Sequence, residues 1–423
     1  MLQIDHVYEF FYNSLFKNIN CYYLPNGCFP PSGVIDQEEQ LYVFNESDCK
    51  HKVFFHDQEP FLLDNSMPIL NNLLHGSTDD TQNESLLADI KKFVTKHNIV
   101  SEETINDNDK FDSVCRKFLK NQTLIFNLVV VVSEKSLLID QILKDKTIAS
   151  LYYFFHGFAA LDWYRGFYAL NYNKQVVGKY KYDYITFNRL VSNDRSYRCY
   201  FVSKLAEELL LEHGQISFGL ETEQASWQEE IANVNTKLSS KAINHIKLHL
   251  PSTPLIIDNE RVFGSASADI PRCTNDSFWH IVTETVFYYD KLHLTEKIFK
   301  PIAMKQPFIL LGAPGNLAYL KSYGFKTFEG IIDESYDTIV DNDQRTEAVV
   351  EQIAWYCSLS AEEKQRVIEA IAPIVEYNFH HFYGEFKHII TRELLDNCRT
   401  LFKEIGYDDN AIAYDDIHRV LTS

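Results

Sequence analysis

The sequence predicts an α/β fold built on parallel sheets. Three observations carry that expectation. Apolar runs of strand length recur along the chain, among them residues 124–132 and 307–311. These runs are continuous instead of alternating, as in strands covered on both faces. Longer stretches with helical spacing lie between them, and strand–helix alternation implies parallel pairing through crossover helices. At 423 residues the chain exceeds what one core supports. Two domains, 1–175 and 176–375, and a helical tail, 376–423, are therefore expected.

In the first domain, residues 41–44 and 52–55 read as early strands. The second ends in His56, Asp57, Gln58, Glu59 and Pro60. Residues 74–85 are a polar loop, 86–98 a helix, and 101–110 a charged loop. After the strand at 124–132, Ser133 is expected to cap a helix. Residues 150–170 are densely aromatic, and 171–182 read as a linker. A second alternating series begins with a strand at 184–187 and a helix running to Leu205. It continues with strands at 254–258 and 278–286, a helix at 296–304 and a strand at 307–311. A helix at 316–323 is stopped by Gly324. Residues 325–328 read as extended, 333–337 as an acidic loop, and 346–375 and 384–406 as helices.

Composition bounds the function. The net charge of −19 argues against a broad nucleic-acid or anionic-membrane surface. A local basic cleft from Arg189, Arg195, Arg198, Lys297 and Lys300 still suits a single nucleotide. Eight Cys are scattered without a CxxC pair or zinc spacing. Cys199 and Cys357 sit in apolar helical stretches and read as buried thiols. No apolar run reaches the roughly 18–20 residues of a membrane span. The first residues lack a basic-then-apolar signal layout. A cytoplasmic enzyme in a reducing compartment is the expectation.

The most informative segment is 278–312. Thr295, Glu296 and Lys297 open a helix there, and Gly312, Ala313, Pro314 and Gly315 form a turn after the next strand. A helix N-terminus offers unpaired N–H groups and a positive dipole end, which suit a phosphate. Lys297 adds a full positive charge, and Glu296 suits a pair of sugar hydroxyls. A nucleoside diphosphate presents both features. The same three residues also fit an ordinary capped helix start.

The wider pattern resembles the nucleotide-sugar site of the α-1,3-fucosyltransferases. Glu284 matches the first acid of that site. Leu294, Thr295, Glu296, Lys297 and Ile298 match its second element. Thr285 stands where the family has Asn, and the gap to Glu296 is slightly longer. A second likeness lies upstream, in the strand at 184–187, the Ser192-Asn193 turn, Arg198 and the helix that follows. The resemblance implies that Arg198 grips the phosphates, which suits its planar fork. Arg189 and Arg195 lie close by in sequence. Together these segments span about a third of the chain. The resemblance further implies GT-B architecture, two Rossmann-like domains facing a cleft.

The first domain is expected to hold the acceptor and the base. Glu59, beside Pro60 at a strand end, is similar to the family's catalytic acid context, with Asp57 as the near alternative. An acidic turn closing the strand is the plainer reading. His156, with Asp162 and Arg165 in an aromatic stretch, is a further candidate for lining a sugar pocket, although a His in an apolar run usually sits in the core. Asp107-Asn108-Asp109 and Asp341-Asn342-Asp343 lack the flanking apolar strand of a GT-A metal site, so no metal is expected.

The expected function is transfer of a sugar from a nucleotide diphosphate donor, GDP-linked among the candidates, to an acceptor hydroxyl; the resemblance implies inversion. A non-catalytic glycan- or nucleotide-binding protein of the same fold, and a transferase acting on a modified nucleic-acid base, are the alternatives. The partners expected are the nucleotide sugar and a glycan or other hydroxyl acceptor.

Overall fold

The computed structural model describes residues 148–219, 226–251, 274–288 and 291–408 continuously. It also describes 21–26, 51–56, 106–107, 109–113 and 128–137, with single positions 7, 10, 11, 15, 140, 144, 255, 257 and 417. The chain forms two compact units. Unit 1 is Met1–Phe158 with Ile390–Ser423, and unit 2 is Ala159–Ile389. These divisions fall at 158/159 and 389/390, where the sequence suggested 175/176 and 375/376.

Unit 1 holds a four-stranded sheet. Its strands β1 (Cys21–Asn26), β2 (His51–His56), β3 (Leu128–Val132) and β4 (Ala149–Tyr152) lie in the order β1-β2-β3-β4. Every pairing is parallel. The apolar run expected as a doubly covered strand is β3, flanked on both sides, with Val129, Val130 and Val131 fully buried. Its expected continuation differs. Ser133 and Glu134 form a bend and are buried, and helical backbone begins at Leu137. Lys135, expected on that helix, instead reaches Glu393 (2.5 Å). Within 101–110, expected as loop, Asn106 and residues 109–110 are helical.

Two helices follow β4, α1 (Phe155–Trp163) and α2 (Phe167–Asn171). The stretch after them was expected as a linker, but it packs. Asn171 Nδ2 donates to Phe167 O (3.0 Å), Lys174 Nζ donates to Met304 O (2.9 Å), and Val176 is buried. Burial lowers the Lys174 ammonium's pKa to about 8.

Unit 2 holds the second sheet, β5 (Tyr182–Asn188), β6 (Gly214–Phe218), β7 (Ser277–Thr283) and β8 (Phe308–Leu311), in the order β6-β5-β7-β8. All pairings are again parallel, with Ile185 opposite His280 and His280 opposite Phe308. Helix α3 (Tyr197–Glu207) leads from β5 to β6; α4 (Trp227–Ala232) and α5 (Ser240–His249) precede β7. The chain therefore leaves β5 toward one edge and β7 toward the other. In parallel sheets, ligands sit outside the carboxyl ends of the strands at such a reversal.

All seven residues of β7 are buried. Trp279 packs edge-on against Phe328 (5.3 Å between centroids) and Tyr356 (6.0 Å). Each such large apolar side chain contributes about 1.5–3 kcal/mol on full burial. Helix α6 (Glu296–Ala303) starts at its Thr295 cap, matching the sequence expectation closely. Helix α7 (Asn316–Ser322) ends before Gly324, whose φ of 89° is the left-handed conformation glycine adopts without strain.

Three long helices close the described chain: α8 (Asn342–Ser358), α9 (Ala361–Tyr383) and α10 (Phe386–Glu404). The expected single helix over 346–375 is thus two. Ser360 and Glu363 form a reciprocal capping box that starts a new helix there. Among the described residues, no helix is long and apolar enough to cross a membrane. Cys199, Cys357 and Cys398 are buried free thiols.

Candidate functional site

Five polar residues meet where β7 ends and α6 begins. Glu284 directly follows β7 and is fully buried. Its Oε1 accepts from Thr295 N (3.1 Å) and its Oε2 from the Thr295 hydroxyl (2.5 Å) and Thr285 N (3.3 Å). Burial raises the Glu284 pKa above the ordinary carboxylate value, while the Lys297 charge and the Thr295 hydrogen bonds oppose that shift. Thr295 also caps α6, accepting from Lys297 N at 3.3 Å. The Lys297 ammonium then lies 3.1 Å from Thr285 Oγ1, 3.2 Å from Thr295 Oγ1 and 3.1 Å from Glu296 Oε1. With its side chain 32% exposed, it is a cation on a prepared seat that still faces solvent.

The loop bearing this cluster is held at several points. Tyr197 OH donates to Glu284 O (2.6 Å), and its ring stacks on Phe287 (3.9 Å). Tyr164 OH donates to Glu296 O (3.2 Å). Asn316 Oδ1 accepts from His293 N (3.0 Å). Arg345, 1% exposed, spans two strand ends. Its Nε donates to Gly312 O (2.9 Å) and its Nη2 to Phe287 O (2.9 Å). Its Nη1 donates to Ile339 O (2.8 Å) and Val340 O (3.1 Å). Such anchoring fixes the cluster before any ligand arrives. Sequence reasoning did not single out Arg345, because the strand-end carbonyls that it joins, Gly312 and Phe287, lie 33 and 58 residues away along the chain.

Arg198 stands at the same end of the sheet. Its Nη1 donates to Leu190 O (3.0 Å) and its Nη2 to Thr283 O (2.8 Å). It therefore joins the segment after β5 to the end of β7, across the reversal in strand order. Its Nε is buried with no partner among the described residues, and so is Asn188 Oδ1 at the end of β5. Buried polar atoms are nearly always paired, so this donor and this acceptor stand out at the carboxyl end of the sheet. The expected fork on a phosphate is, in this structure, a fork on two carbonyls.

The remaining candidates are dispersed. Arg189 is exposed just after β5, and Arg195 is half-buried in a short helical turn. Lys300 is buried on α6, its ammonium 5.3 Å from the centre of the Phe187 ring. Glu59 and Asp57 lie outside the described residues. His156 is buried on α1, edge-on to Phe155 (5.1 Å), in the part of that helix belonging to unit 1. Asp162, further along α1, is ion-paired with Arg165.

The acidic loop has internal partners. Glu334 accepts from Thr327 Oγ1 (2.6 Å) and Phe328 N (2.6 Å). Asp337 accepts from Leu317 N (3.0 Å) and Ala318 N (3.3 Å), closing the N-terminus of α7. A solvated acidic loop was expected; instead Asp337 caps α7 and Glu334 holds the Thr327–Phe328 segment. No family model, curated protein or solved structure matches the chain.

Proposed function

We propose that this chain is a nucleotide-sugar glycosyltransferase of GT-B type, with the donor's diphosphate against Lys297 and the N-terminus of α6. The observation that carries the reading is the seat of Lys297. A partly exposed ammonium is held by two threonine hydroxyls and Glu296 at a helix N-terminus, beside the strand-order reversal. Phosphate oxygens suit that combination of charge and N–H donors. Glu296 serves the ribose hydroxyls. Arg198 adds a buried positive charge and an Nε donor. Two all-parallel sheets in separate units support the GT-B reading.

In the reaction, the acceptor hydroxyl gives its proton to a carboxylate base. Its oxygen bonds the anomeric carbon, the bond from that carbon to the phosphate oxygen breaks, and the diphosphate leaves with both electrons. Lys297 stabilises the charge gathering on the leaving group. The resemblance assigns the base to Glu59, with Asp57 and His156 as alternatives. The test is release of nucleoside diphosphate from a panel of nucleotide sugars with and without glycan acceptors. Glu59→Gln should lower turnover on the order of 10²–10⁴-fold while donor binding persists. Turnover near normal in that variant would move the base to Asp57 or His156. Binding of diphosphate without turnover of any donor would leave a nucleotide-binding protein that is not an enzyme.

A further inference from the structure

Away from the Glu284–Lys297 cluster, helix α5 packs along α3. It carries His245 and His249 four residues apart, so both imidazoles lie on one face. The rings stack at 4.4 Å with 29° between their planes. Glu207, in the last turn of α3, meets both. Its Oε2 lies 3.0 Å from His245 Nε2 and its Oε1 lies 3.9 Å from His249 Nε2. The three prospective ligand atoms fall within 4.8 Å of one another. Zinc bonds of about 2.0–2.1 Å at a tetrahedral angle place neighbouring ligand atoms about 3.3–3.4 Å apart, so little rearrangement separates this cluster from a coordination sphere.

The hydrogen-bond chain behind His245 strengthens the case. The Ser203 hydroxyl donates its only proton to Tyr200 O (2.8 Å). At 2.9 Å from His245 Nδ1 it must therefore accept, which places a proton on Nδ1. Nε2 is then the ring nitrogen that faces the Glu207 carboxylate. The Lys204 ammonium also sits on the Glu207 carboxylate. A divalent ion held by the two imidazoles and the carboxylate takes the place of Lys204 as the counter-charge. An outer oxygen that fixes the far ring nitrogen is how proteins orient metal-bound histidines.

We propose that His245, His249 and Glu207 form a site for a divalent transition ion of the zinc class, which clips α3 to α5. Two imidazoles and a carboxylate are the donor set such ions favour, with water completing the sphere. The site stands independently of the glycosyltransferase reading. A second cluster, Asp183, His213 and Cys357, is comparably close, but Lys364 Nζ occupies both Asp183 oxygens at 2.7 and 2.8 Å. Burial also pushes the Cys357 thiol up to about 12, keeping it protonated. It serves as the internal control.

The experiment titrates the chelator-stripped full chain with Zn²⁺ alone by calorimetry, with Co²⁺ absorption as a probe of tetrahedral geometry. One Zn²⁺ equivalent is expected, weakened at least tenfold in His249→Ala and in Glu207→Gln and unchanged in His213→Ala. The first two replace partly exposed side chains, so their circular dichroism should match the wild type. Ser203→Ala should weaken binding about tenfold by releasing the His245 ring. Absence of a Zn²⁺ equivalent at micromolar concentration, or equal binding by His249→Ala and Glu207→Gln, would overturn the proposal. So would loss of binding in His213→Ala.

Discussion

Two helix N-termini follow neighbouring strands of the second sheet, and they are finished differently. At α7, which follows β8, Gly315 turns the chain at φ 82° and the Asp337 carboxylate takes up the N–H groups of Leu317 and Ala318. That terminus already has its anion. At α6, which follows β7, the buried Glu284 carboxylate holds the N–H and hydroxyl of the Thr295 cap, and the partly exposed Lys297 ammonium stands in front. A helix start closed by the protein's own carboxylate serves stability. One that also presents a partly exposed cation suits an external anion, as the proposed function requires. The short motif Thr295-Glu296-Lys297 and the Gly-rich turn look equally suggestive in sequence; Asp337 closes the second, whereas the first presents a partly exposed ammonium.

Arg345 supports both termini, so its loss should have the largest effect. Arg345→Ala leaves the carbonyls of Gly312, Phe287 and Ile339 without their donor. It should lower the stability measured by urea unfolding by about 3 kcal/mol or more. A change below about 1 kcal/mol would mean that the two strand ends do not depend on it.

A pH series separates the sheet from the site. His280 lies fully buried in β7, and burial, with Lys300 nearby, lowers its pKa from 6.5 to about 3. The depressed value means that its stabilising contribution is present above about pH 6.5 and is lost progressively as pH falls toward 3. At pH 5 the cost is about 2 kcal/mol, at ~1.36 kcal/mol per unit. Glu284 works in the opposite sense. Its raised pKa gives stability at low pH that is lost as pH rises through the folded value. Comparing wild type with His280→Gln isolates the histidine, and the variant's denaturation midpoint should fall less between pH 7 and pH 5. Parallel slopes for the two proteins would assign the acid sensitivity elsewhere.

Asp337→Ala should cost about 1–2 kcal/mol as a lost helix cap, with no change in nucleotide binding. A matching loss of nucleotide affinity would erase the distinction between the two termini. Lys297→Ala should lower stability by about 1 kcal/mol or less: it removes the ion pair with buried Glu296, but the ammonium's side of that pair is partly solvated. Thermal melts of the two variants side by side would check both statements.

Much of the second sheet was legible from local signals. The helix expected at 296–304 is observed at Glu296–Ala303, because a threonine cap and apolar spacing coincide there. The strand expected at 278–286 is Ser277–Thr283, since a doubly buried parallel strand reads as a continuous apolar run. Glu284, Thr295, Glu296 and Lys297 do come together. What escaped was set by distant partners. Asp337 caps a helix that starts some twenty residues earlier in the chain, which no window of sequence reveals. The stretch after α2 looks like a linker until Met304 and Ala303 supply its acceptors. The break at Ser360 was readable, because Ser360 and Glu363 have capping-box spacing, but the surrounding helical pattern masked it. The four-residue spacing of His245 and His249 was readable too, whereas Glu207 joins them only through packing of α3 on α5.

The most direct test is calorimetric titration of GDP, UDP and ADP into the wild type and into Lys297→Ala, with circular dichroism on the same preparations. At least one nucleotide should bind the wild type. Lys297→Ala should bind it about 10–100-fold more weakly, the loss of a charged hydrogen bond worth about 1.5–3 kcal/mol, with an unchanged spectrum. No binding of any of the three at millimolar concentration, or equal affinity in the two proteins, would contradict a diphosphate site at the start of α6.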